Sequence, residues 1–306
     1  MTRINHHDKF TTYLPWLLSW WLVLIGSIQA SATPLTIGSI SNDPAKEISQ
    51  FLPLVRHLAT QLTPQGITSG EVVIAASMQE MASLINKNRV DLYLDSPLPS
   101  AWVNQATNGK MVLRRWKKGQ VDYRSILFVK KESNIHELSQ LAGKMIGFKD
   151  PFSSSGYLLP RIAMEQAGLQ LVPLKESSDP IPPGKTGYLF TNDRETNVFW
   201  VTIGKISAGA IAKEELEEFA KKDADQLRII HETFSIPRHV VNIRGNLPET
   251  LEKALIQTLQ EMEHHAQGKQ ILEKFQQTTR FDAIPPESYT QLQKITPIMS
   301  NSLDTP

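Results

Sequence analysis

Three consecutive serines and a glycine, Ser153-Ser154-Ser155-Gly156, stand inside the segment GFKDPFSSSGYLLPR (147–161). KMIGF (144–148) before them reads as a short buried strand, and LLPRIAMEQAG (158–168) after them as an amphipathic helix. The first N–H groups of a helix have no internal partner, and the helix dipole leaves that end partly positive. A glycine lets the backbone approach a ligand closely, and serine hydroxyls add further donors, so this junction can seat an oxyanion. Ordinary N-capping by one serine accounts for the same residues. Spacing alone does not separate the two readings.

The other chemistry-bearing groups are weaker. Glu261 and His265 fall four apart on a predicted helix and could share a metal, but no third ligand lies nearby, and a solvated helical face is the simpler account. Pro182-Pro183-Gly184-Lys185-Thr186 imitates the end of a phosphate-binding loop, yet the first glycine of that motif is missing and no strand leads into it. The three serines sit in no G-x-S-x-G turn, which argues against a serine hydrolase. The charge run over 213–225 reads as an exposed helix with i,i+4 pairs. Cysteine is absent, excluding disulfides, thiolate metal sites, cysteine nucleophiles and a lipid on an N-terminal cysteine. No catalytic residue, metal site or cofactor is expected.

These residues need a frame, and the chain supplies an alternation of strands and helices. LTIGSI (35–40) is a strand, followed by a helix through ISQFLPLVRHLATQL (48–62) whose Leu52, Val55, Leu58, Ala59 and Leu62 share one face. A strand at 71–77, a helix at 78–88 and a strand at 90–96 follow, then a longer strand, YRSILFVKK (123–131). IHELSQLAG (135–143) reads as a helix, 173–187 as a Pro-, Gly- and Ser-rich connection, 195–205 as helical and 206–212 as a strand. Two strands around Ser235-Ile236-Pro237 precede a helix over 248–265. Such alternation argues for an α/β protein with largely parallel sheets covered on both faces, in two lobes.

The 306 residues suffice for two modest domains, and 41% hydrophobic with 21% charged residues is ordinary globular composition. A net charge of +1 gives no argument for nucleic acid or an anionic membrane. The first 32 residues differ from the rest: Arg3 and Lys9, then an apolar run from Leu14 to Ile28, then Ala30-Ser31-Ala32. This pattern predicts a secretory signal cut after Ala32, with an uncleaved anchor as the alternative, because Trp16, Trp20 and Trp21 suit a membrane interface. Export without disulfides suits a bacterial periplasm.

The serine loop resembles the DPNSTSGYLVPR-type loop of the phosphate/phosphite/phosphonate-binding proteins of ABC transporters. Further similar segments follow in the same order: IGSISNDPAKEISQFLPLVRHL, VDLYLDSPLPSAW, YRSILFVKKESNIHELSQLAGK, RETN with GKISAGAI, and SIPRHVVNIRGNLPE. The resemblance covers nearly all of 35–250. It implies a type II periplasmic binding protein, two α/β lobes of mixed, mostly parallel sheets closing on a ligand in the cleft between them. On this chain that gives lobe 1 as 33–130 plus 236–306 and lobe 2 as 131–235, with YRSILFV and HVVNIRG as crossover strands.

Carried over by position, Ser153, Ser154, Ser155 and the N–H of Gly156 would bind phosphoryl or phosphonyl oxygens. Arg194 replaces a frequent histidine with a permanent cation, Glu195 keeps an acidic position that can meet a ligand ammonium, and Tyr123 and Ser125 face the cleft. Asp95 and Ser96 depart from the Gly-Pro-Leu-Ser-Tyr run of relatives, Met78 stands where some have a ligand-facing tyrosine, and Ser207 where aspartate is common. An unpaired Asp95 would repel an anion; it must meet a cationic ligand group, pair with Arg194 or Arg124, or signal a different ligand. The implied partners are a small oxyanion and an ABC permease, with presentation to a membrane sensor as the alternative; membrane contact would come only through the leader.

Overall fold

The computed structural model of the chain describes residues 33–219 and 224–303. The expected leader lies outside the described residues. Strands β1 (Thr33–Ile40), β2 (Ile67–Ala75), β3 (Leu92–Asp95), β4 (Lys110–Lys117), β13 (His239–Ile243) and β14 (Thr278–Ala283) form one sheet, in the order β14-β4-β13-β3-β1-β2. A second sheet takes β6 (Ser125–Lys130), β7 (Met145–Phe148), β8 (Leu171–Pro173), β9 (Thr186–Phe190), β10 (Ala208–Ala212) and β11 (Leu227–Glu232), in the order β11-β6-β10-β7-β9-β8. Between the sheets a short ribbon pairs β5 (Asp122–Tyr123) with β12 (Ile236–Pro237), antiparallel. The chain therefore crosses between two lobes twice, side by side.

Each sheet joins a parallel part to an antiparallel part. β1 runs parallel to β2 and β3, and β7 to β9 and β10. The strands entered after the two crossings, β6 and β13, run antiparallel to their neighbours. Residues 125–130 belong to the second sheet, not to the first lobe as the boundary at 130 had it. Ile126, Leu127, Phe128 and Val129 are all buried, and a continuous apolar run is satisfied only in mid-sheet with helices on both faces. HVVNIRG likewise lies wholly in the first sheet as β13, so the crossings are the shorter β5 and β12.

Helices cover both faces of each sheet. On the first sheet α1 (Pro44–Gln61), α7 (Glu249–Glu261) and α8 (Ala266–Lys274) bury Leu54, Leu58, Leu255 and Leu272 against Leu35, Ile37 and Val241. Its other face takes α2 (Met78–Asn86) and α3 (Pro97–Thr107), with Met78, Met81, Ile85 and Val103 against Ile40 and Tyr93. On the second sheet α4 (Leu159–Gln166) covers one face, and α5 (Arg194–Thr202) with α6 (Lys213–Phe219) the other. Each fully buried Leu or Ile contributes about 1.5–3 kcal/mol. The segment 135–143 forms only a single 3₁₀ turn, Leu138–Leu141, rather than a helix. Among the described residues no helix is long and apolar enough to cross a membrane.

The lobes are not independent. Leu98 from α3, Tyr123 and Ile236 from the ribbon, and Leu292 and Ile295 from the last helix α9 (Pro286–Leu303) join one apolar cluster with Leu127, Ile146, Tyr157 and Ile162 of the second lobe. Phe152, from the loop after β7, packs against the cluster that holds Met78, Tyr93 and Val103 of the first lobe.

Candidate functional site: the crevice between the two lobes

The serine loop does reach the other lobe. After β7 the chain turns through Ser153 into a π-helical turn, Ser154–Leu158, which runs on into α4. Ser153 is the cap: its Oγ accepts from the N–H of Gly156 at 3.0 Å. That bond occupies the Gly156 amide expected to meet a ligand. The glycine is required by packing, since a Cβ here would stand 2.6 Å from Cβ of Lys149. Ser154 is fully buried, and its Oγ accepts the backbone N–H of Leu98 at 3.1 Å. It thus caps the start of α3 across the lobe boundary. Ser155 is half-buried; its carbonyl accepts from Ser125 Oγ at 2.6 Å. The Tyr123 hydroxyl meets the side chains of Ser154 and Ser155, and burial pushes its pKa upward.

Asp95 ends β3, and neither Arg194 nor Arg124 pairs with it. Its carboxylate accepts from the Tyr93 hydroxyl at 2.9 Å, from the Ser96 N–H at 2.6 Å and from Ser96 Oγ at 3.2 Å. Burial pushes its pKa up to about 7, opposed by the Ser96 and Tyr93 bonds and reinforced by the nearby charges of Glu47 and Asp150. The repulsion foreseen for an anion is therefore eased by partial protonation near pH 7, not by a paired cation. Arg124 instead binds Glu232 at 2.8 Å. Arg194 binds Glu215 at 2.6 Å, and Glu215 also accepts from Arg238 at 3.0 Å. Glu195 is exposed in the first turn of α5 and makes no hydrogen bond among the described residues, so the structure does not bring it to the others. Met78 is buried in the apolar cluster of the first lobe.

The sequence reading missed the basic side of this crevice. Asp95, Val240 and Arg114 are register partners, so the next positions, Arg115 opposite His239, lie at the same end of the sheet as Asp95. Lys117 follows two residues later on the same face of β4. Arg115 is fully buried, bonded to Thr278, the Phe275 carbonyl and Gln276, and stacked over the Phe275 ring. Arg238 is buried and bonded to Gln120 and Glu215. Its Nε, like Nδ1 of His239, is buried without a partner. Lys117 and His239 are half-buried. Burial lowers the pKa of both, and the neighbouring cations lower it further: Arg115 and Arg238 act on each, and Lys149, from the loop after β7, acts on His239. The signal available in sequence was the cluster of basic residues in KMVLRRWK, at 110, 114, 115 and 117, together with Arg238 and His239 of SIPRH.

The serine loop and helix start of the second lobe thus come against the end of the first sheet that carries Lys117, Arg238 and His239, with Arg115 buried behind them. An open groove of about 650 Å³ lies elsewhere, between α3, β4 and α9, lined by Asn104, Met111, Tyr289 and their neighbours, and carries none of these charges. Among the described residues no cluster of three or more His, Cys, Asp or Glu could hold a metal.

Over residues 37–289 the sequence matches the family described as ABC transporter, phosphonate, periplasmic substrate-binding protein. Among solved structures, XAC2383 from Xanthomonas citri bound to chloride ion is 26% identical, covering 89% of this chain and 99% of that one at a TM-score of 0.84. The same Xanthomonas protein bound to ATP gives 25% identity and a TM-score of 0.83, with the same coverage. PhnD1 from Prochlorococcus marinus, in complex with methylphosphonate, is 19% identical and shares the fold at a TM-score of 0.65 over 87% of this chain and 98% of that one. A search of the curated proteins found no match. The fold is that of a two-lobed type II periplasmic binding protein.

Proposed function

The chain belongs to the periplasmic substrate-binding proteins of phosphonate ABC transporters, and from that premise we propose that it captures a small phosphorus oxyanion, a phosphonate, phosphate or phosphite, between its lobes. The closed, loaded protein would then present the ligand to the transporter's membrane permease. Residues 1–32 would direct export to the periplasm. No covalent chemistry is involved; closure desolvates the anion and strengthens its hydrogen bonds.

One observation carries this reading. The serine loop of one lobe bonds to Leu98 of the other, beside the end of the sheet where Asp95 and the basic residues of β4 and β13 lie in register, and the carboxylates there are already committed. Glu215 is shared by two arginines, Asp150 pairs with Lys149 at 2.7 Å, and Asp95, with its pKa raised to about 7, is only about half ionised near pH 7. A buried excess of positive charge is costly until an anion enters. The donors proposed for the ligand are the side chain and N–H of Ser155, the N–H of Ser154, Lys117, His239 and the unpartnered Nε of Arg238. Ser153, Ser154 Oγ, Tyr123 and Ser125 hold the loop in place.

A thermal-shift screen with phosphate, phosphite, methylphosphonate, sulfate and ATP tests the proposal; ATP is included because the Xanthomonas relative binds it. A ligand with Kd about 1000-fold below its concentration stabilises the folded form by about 4 kcal/mol, a rise of several degrees. A rise with at least one phosphorus oxyanion and little with sulfate is expected. No rise with any of them contradicts the reading.

A further inference from the structure

We propose that Lys117 and His239 are ligand-contacting residues of the cleft, and that Lys117 takes up a proton from solution as the oxyanion arrives. This rests on the reading that the crevice is the ligand site. His239 stands opposite Arg115 in the β13–β4 register, and Lys117 lies two residues beyond on the same face of β4.

The charges around Lys117 come from every side. Arg115 lies on its own strand, Arg238 between β12 and β13, Arg194 at the start of α5 and Glu215 on α6. Glu215 is the single carboxylate among them, and it is already bonded to Arg194 and Arg238. His239 faces Lys117, Arg115, Arg238 and Lys149, and its Nδ1 is buried without a partner. The remaining carboxylates of the crevice are engaged elsewhere: Glu47 accepts from Ser39, and Asp95 from Tyr93 and Ser96. Lys117 therefore meets no carboxylate within ion-pair reach among the described residues.

Arginine keeps its proton at neutral pH, so in a crowded basic site the lysine is the group that yields. Burial first, then Arg115 and Arg238, hold its pKa well below the ordinary lysine value. An anion placed against it reverses the balance, because an opposite charge within a few ångströms favours the ammonium. Binding and protonation are then linked: ligand affinity falls as pH rises, by up to tenfold per pH unit for each proton taken up. His239, neutral by the same forces, supplies a hydrogen bond that does not depend on pH above 7.

Calorimetric titration of the protein with methylphosphonate and with inorganic phosphate, at pH 8 in two buffers of different ionisation enthalpy, counts the protons. Wild type is expected to take up close to one proton more per ligand than Lys117→Arg, which keeps a fixed charge at the same place. The comparison within one ligand cancels the ligand's own ionisation. Lys117→Arg is also expected to bind with a flatter pH dependence between 7 and 8.5, and His239→Ala to bind at least fivefold more weakly than wild type. Equal proton uptake by wild type and Lys117→Arg, or unchanged affinity in His239→Ala, overturns this inference while leaving the oxyanion site standing. Absence of binding by either anion in any variant overturns both.

Discussion

Asp95 carries a carboxyl whose neighbours are two more carboxylates, Glu47 and Asp150, and whose donors come from Tyr93 and Ser96. Its folded pKa of about 7 lies above the ordinary aspartate value near 4. Between those values the unfolded chain has lost the proton and the folded one has not. Stability from this group is therefore full below pH 4, falls as pH rises to about 7, and is flat above. Asp95→Asn removes the fall: relative to wild type it is expected to gain about 1–3 kcal/mol between pH 4.5 and pH 8, with solvent screening limiting the size. Thermal melts of both proteins at the two pH values check this, and a constant difference counts against it. The sequence showed that Asp95 was out of place for an anion site, but not how the conflict resolves, because protonation depends on burial. Lys117 and His239 were harder still to see. One sits in β4, a strand that apolar patterning did not reveal, and the other is a lone histidine that gains meaning only from its register opposite Arg115.

The element that joins sequence to site is the turn after β7. Its serines were legible as helix-start residues, and Ser153 is indeed a cap. Ser154 was not legible as an interlobe bond, because its partner, the N–H of Leu98, is 56 residues away. Ser154→Ala leaves that N–H buried and unpaired in the closed form, which is expected to weaken oxyanion binding by about 1–3 kcal/mol, roughly fivefold or more. Titration calorimetry measures it, and an unchanged affinity removes the bond from closure. Of the βα alternation, β1, α1, β2, α2, β3, β6, β7, α4, α5 and β10 were readable from apolar patterning, whereas β8 and β9 flank and overlap the 173–187 stretch read as a connection. β4, α3 and β14 were not readable, since charged residues fill the two antiparallel strands and two prolines open the helix. Antiparallel strands near a sheet edge tolerate such residues because one face meets the solvent or the crevice.

At the scale of the whole molecule, two lobes are linked by the β5–β12 ribbon, by Phe152 packed against the cluster around Met78, and by one further apolar cluster. α9 adds Leu292 and Ile295 to that cluster, against side chains of the second lobe. The two-lobed architecture was legible from the order of the segments that resemble the family. The placement of β6 was not, because a buried strand reads the same in either lobe until its partners are known. Opening the crevice requires parting Phe152 from the cluster around Met78 and Ser154 from Leu98, contacts made by the loop that also carries the proposed ligand donors. Closure and capture are thereby tied to the same few residues. A crystal structure of the protein with methylphosphonate tests this most directly. The account predicts the phosphonyl group between the lobes, within hydrogen-bond distance of Ser155, Lys117 and His239. A phosphonyl group bound in the groove between α3 and α9, or a closed crevice with no anion touching Lys117, would contradict it.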